Sequence, residues 1–74
     1  MSAPRIHELE KLAKEVHGPA TRVSIVAYPP SVRVYNQFSG GDLIVIRTDK
    51  AVKQHEALRA LRTLLQALKQ EKAA

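Results

Sequence analysis

Seventy-four residues allow a single domain, spanning 1–74, and a chain this short hides only about 60% of the surface its unfolded form exposes, so its core must be thin. With no cysteine and three scattered histidines, disulfide and structural-metal scaffolds are excluded as the source of stability, and packing or self-association must supply it. Twelve Lys and Arg against seven Asp and Glu leave a net charge of +5, which favours polyanionic partners without choosing between nucleic acid and an acidic protein surface.

The first helix is expected over Pro4 to Val16, because Ile6, Leu9, Leu12, Ala13 and Val16 fall on one face and proline is tolerated in a first helical turn. Glu10 and Lys14 form a favourable i,i+4 pair. Gly18-Pro19 ends the helix, glycine suiting the left-handed position that follows a helix and proline blocking continuation.

From Thr21 to Thr48 the period falls from 3.6 to 2 and the residues become β-branched and aromatic, which predicts strands near Arg22–Tyr28, Ser31–Gln37 and Leu43–Thr48. Pro29-Pro30 can only be a turn, and Ser39-Gly40-Gly41-Asp42 is the second. Both connections are short, so the strands should form an antiparallel meander. Alternation puts Val23, Ile25 and Ala27, and then Val32, Val34 and Asn36, on the inner face. Leu43 to Ile46 does not alternate, the pattern of a strand apolar on both sides, and leaves open which two of the four face inward. An apolar and aromatic patch is therefore expected on the outer face, made of Val26, Tyr28, Tyr35 and two of these aliphatics, with Arg33 beside them.

The final helix is expected over Ala51 to Lys72, capped by Thr48 or Asp49, with Leu58, Leu61, Leu64, Leu65 and Leu68 as its apolar stripe. One flank is basic: His55, Arg59, Arg62 and Lys69 lie within about 80° of one another, and Lys50 and Lys53 stand at its N-terminal end. His7, Lys11 and Lys14 make a smaller basic flank on the first helix, and the two together would straddle a phosphate backbone. The other flank carries Ala60, Thr63 and Ala67, small enough for close packing against the first helix. The whole is an α+β fold in the order α-β-β-β-α, a three-stranded antiparallel meander with both helices packed on one face.

His7, His17 and His55 sit on separate elements with no nucleophile and base in view, so the chain is not expected to be an enzyme, to bind a metal or to use a cofactor. Met1 to Glu8 has no apolar run behind a basic start, and the longest aliphatic run is four residues, Leu43 to Ile46, so the expected setting is cytoplasmic, with no membrane association.

The order α-β-β-β-α, the length and the basic start of the last helix, Lys50-Ala51-Val52-Lys53, together resemble the double-stranded-RNA-binding domain. The resemblance implies phosphate contacts by Lys50 and Lys53. Two features depart from that pattern: only two lysines stand where the family has a cluster, and Tyr28-Pro29-Pro30-Ser31 is shorter than the family's groove-entering loop. Two readings follow from the residues. One is a non-catalytic binder of nucleic-acid backbone acting through Lys50, Lys53, His55, Arg59, Arg62 and Lys69. The other is a protein-interaction module or small regulator that forms a homodimer or docks on a larger protein through Val26, Tyr28, Arg33 and Tyr35.

Overall fold

The computed structural model describes residues 3–73 as a two-layer slab with principal extents of 36 × 30 × 17 Å. Helix α1 spans Ile6–His17, followed by strands β1 (Thr21–Val26), β2 (Ser31–Asn36) and β3 (Asp42–Arg47), and helix α2 spans Gln54–Ala73. The strands form one antiparallel sheet in the order β1-β2-β3, with β2 central and both outer strands carrying a free edge.

Leu9 and Ala13 from α1, Val23, Val32 and Val34 from the sheet, and Ala57, Leu58, Leu61 and Leu65 from α2 make the buried core. Their positions follow from period: one turn apart on the helices, two residues apart on the strands. At about 25 cal/mol per Å2 of apolar surface removed from water, such side chains supply most of the stabilisation of a small domain.

Alternation places the inner face of β1 correctly but not its extent. Thr21 and Val23 are buried, whereas Ile25 is 43% exposed and Ala27 lies in the turn beyond the strand. The helical layer covers the start of β1 and stops short of its end, and the Thr21 side chain takes the covered place. In β3 the register settles the choice that the run of aliphatics left open: Ile44 pairs with Val34 and Ile46 with Val32, so both look inward, while Val45 pairs with Arg33 on the outer face and Leu43 is exposed.

The α1 helix ends where glycine permits it. Gly18 donates its N–H to the Lys14 carbonyl at 2.9 Å and adopts φ 104°, ψ 167°. This is not the left-handed helical position expected there but an extended conformation with positive φ, open to glycine and almost nothing else. Helix α2 begins at Gln54, three residues later than expected, because Asp49 acts on a turn rather than on the helix. Its carboxylate accepts the Ala51 and Val52 N–H groups at 2.7 Å each, while its own N–H donates to the Val52 carbonyl.

Two further expectations change. The small flank of α2 does not pack on α1: Ala60, Thr63 and Ala67 are exposed. Instead α1 meets the basic side of α2, where Lys69 pairs with Glu15 at 2.9 Å, and Lys72 donates to the Val16 carbonyl at 3.1 Å. The stripe is also narrower than five leucines, since Leu64 is 41% exposed.

On the other side of α1, Glu10 holds β1 in place. Its carboxylate accepts from Arg22 at 2.8 Å and from the Val23 N–H, an outward-pointing group on the free edge, at 3.4 Å, with Lys14 at 3.5 Å. Burial opposes the charge, but the Arg22 hydrogen bond, the Val23 N–H and the charges of Arg22 and Lys14 outweigh it and hold the carboxyl below its ordinary value of 4.5. A carboxyl more acidic folded than unfolded adds stability above its unfolded pKa and loses it as pH falls through the lower folded value. Acid titration of stability should therefore drop below pH 4.5, and Glu10→Gln should flatten that drop in urea melts measured at several pH values. An unchanged acid limb would contradict this linkage.

Candidate functional site

The six basic positions on and before α2 do not form one free cationic face. Lys69 is committed to Glu15, and His55 stands 4.0 Å from Glu56 on the same helix. Arg59 has an interaction of its own, and its carbonyl accepts from Thr63 at 3.2 Å. Arg62 is half-buried, whereas Lys50 and Lys53 are exposed in the segment that the Asp49 turn sets before the helix. Nor do the two basic flanks join. Lys14 on α1 pairs with Glu10, beside β1, while the acidic side chain of Glu15 is what α1 offers α2. The expected straddle of a phosphate backbone is thus interrupted by carboxylate.

The outer face of the sheet is more coherent. Strand register brings Arg22, Ser24 and Val26 of β1 across from Tyr35, Arg33 and Ser31 of β2, with Val45 and Arg47 of β3 beyond them. A depression of about 730 Å3 lies there, walled by Val26, Tyr28, Pro29, Arg33, Val45 and Arg47. Arg33 is held within it: its Nε donates to Asp42 at 2.7 Å, its Nη2 donates to the same oxygen, and its guanidinium lies 5.1 Å from the centre of the Tyr35 ring. Because this pair is partly solvated, it is worth no more than about 1 kcal/mol, and its larger effect is to fix the two side chains in one geometry. Tyr28 reaches out from the turn at 91% exposure, beside a cis Tyr28–Pro29 peptide bond.

Of the four predicted interface residues, Val26, Arg33 and Tyr35 share this face as expected, and Tyr28 flanks it. Sequence reasoning did not single out Leu43, at 48% exposure, or Val45, at 47%, although their place in an unbroken aliphatic run was the available signal. Phe38 was also missed. It is exposed in the β2–β3 turn, where the Asn36 side chain accepts its N–H at 2.9 Å and that of Ser39 at 3.1 Å, a local arrangement that leaves the ring outside.

The edge of β3 completes the surface. The Thr48 N–H donates to the Pro30 carbonyl, and alternation by two then turns the N–H groups of Ile46 and Ile44 toward β2. Those of Val45 and Arg47 point to the open edge. A shift in register opposite Val34 and Tyr35 puts a bulge at the Asp42 end of the strand, so Asp42 pairs with Tyr35 and Leu43 is the extra residue.

Among the described residues, His, Cys, Asp and Glu side chains nowhere gather in threes, and no helix is long and apolar enough to cross a membrane. No family model, curated protein or solved structure matches the chain. The likeness to the double-stranded-RNA-binding domain accordingly remains one of element order.

Proposed function

We propose that this protein is a non-catalytic protein-interaction module that works through the side of the sheet left uncovered by its helices. The observation that carries this reading is β3, a strand with exposed aliphatic side chains, Leu43 and Val45, and an unpaired backbone edge. Burying the exposed halves of Leu43 and Val45 would contribute about 1 kcal/mol each, and the aromatic and arginine side chains beside them are of the kinds that anchor protein interfaces. The Arg33–Tyr35–Asp42 cluster supports the same role, since it presents a preset rather than a floppy surface.

Backbone binding by nucleic acid is the second reading, supported by Lys50, Lys53 and Arg62, for which no acidic partner occurs among the described residues. One comparison separates the two. Wild-type chain and the double variant Tyr28→Ser with Tyr35→Ser are each used to capture partners and assayed for self-association, with and without a nucleic-acid duplex at low and high salt. The interaction reading expects capture of a partner that the double variant weakens at least tenfold, or self-association through the sheet. Absence of both, alongside duplex binding that collapses with salt and with Lys50→Ala and Lys53→Ala, would replace it with the second.

A further inference from the structure

We propose that the edge of β3 is the seat of a homodimer, in which a second copy of this chain adds its own β3 antiparallel and the two sheets become one of six strands. The inference rests on the interaction reading above and names the partner. The β3 edge has little of the usual protection: it carries no proline and no lysine, and its one bulge lies at the Asp42 end, clear of Val45.

Register and charge select the second copy, and its direction. Beyond the bulge, Val45 and Arg47 turn their N–H and carbonyl groups outward while Ile44 and Ile46 are bonded to β2, so an antiparallel copy centred on this stretch must pair through Val45. With the two-fold axis at Val45, each Val45 faces the other on the outer side of the sheet, and Ile44 faces Ile46 of the second copy on the helix side. Arg47 then falls across from Leu43 of the second copy, next to its Asp42. The strand is acidic at one end and basic at the other, so antiparallel pairing brings opposite charges together at both ends, whereas parallel pairing would set like against like.

The helical layer fits the same axis. Ile44 and Ile46 are only half-buried in one chain and become interior once a second strand lies beyond them. Helix α1 occupies the Lys69 side of α2, so the opposite flank, with exposed Leu64, Ala60 and Ala67, overhangs β3 and faces its counterpart across the axis. Small side chains there let two helices approach to roughly 8–10 Å.

The test is the mass in solution by sedimentation, from about 1 μM to about 1 mM chain. Wild type should reach twice the 8.2 kDa of one chain. Val45→Lys alone and Val45→Glu alone should each be monomeric, because like charges meet on the axis, with circular dichroism unchanged because the side chain is already half in solvent. An equimolar mixture of the two variants should recover the dimer. A wild type monomeric throughout the range overturns the pairing and leaves the broader interaction reading to the tyrosine comparison. A dimer that survives Val45→Lys, or a mixture that stays monomeric, overturns the edge and the register.

Discussion

Leu61→Ala should lower the stability of the domain by about 3 kcal/mol, which for a domain of this size corresponds to a fall in melting temperature of roughly 12–24 °C. Leu61 is fully buried, on the middle turn of α2, among Leu9, Val34 and the other core side chains. Truncation removes both its transfer free energy and its neighbours' contacts, since a thin two-layer core has little room to collapse into the space. The paired control is Leu64→Ala, one turn along the same helix but 41% exposed, where the loss should be well under half as large. Thermal melts followed by circular dichroism measure both. Equal losses would mean that the leucine stripe is buried across its whole width, contrary to the exposed flank on which the proposed dimer depends.

The next largest effect should come from Gly18→Ala, a substitution that touches nothing. No atom outside residues 17–19 lies within 4 Å of where the new methyl group would stand. The cost is conformational: φ 104° with ψ 167° is closed to side-chain-bearing residues at about 1–3 kcal/mol, of which the stiffer unfolded chain of alanine returns a part. A net loss of about 1–2 kcal/mol is expected in urea unfolding, with the slope of the transition unchanged. Gly40→Ala, at φ 73° in the β2–β3 turn, should cost less, because that left-handed region is merely disfavoured for alanine. A neutral Gly18→Ala would show that the chain can leave α1 by another route.

Both effects bear on what was legible beforehand. Period and turn residues located all five elements, because Leu9, Ala13, Val32, Val34, Leu58 and Leu65 obey spacings that only one kind of element satisfies. Element ends were less legible. Asp49 has the right identity for a helix cap, but whether its carboxylate closes a turn or a helix depends on which N–H groups the next three residues present, and that is decided in three dimensions. The flanks of α2 were read with the wrong neighbour for a similar reason. Ala60 and Ala67 are small enough for a helix to approach, but the attraction between Lys69 and Glu15 and the packing of Leu12 decide which side α1 takes. The surface on β3 was legible as an anomaly in Leu43 to Ile46 and not as an edge, since strand order within the sheet does not show in a strand's own composition.

One consequence of the core's make-up concerns time rather than energy. Among the described residues, four of the nine buried apolar side chains come from α2, which leaves the ribosome only after the whole sheet has been made. At about 5–20 residues per second, the twenty residues of α2 take on the order of 1–4 s to synthesise, and until they are complete only α1 can cover the inner valines. The speed of translation through Gln54 to Ala73 therefore sets how long the sheet waits for its second helix.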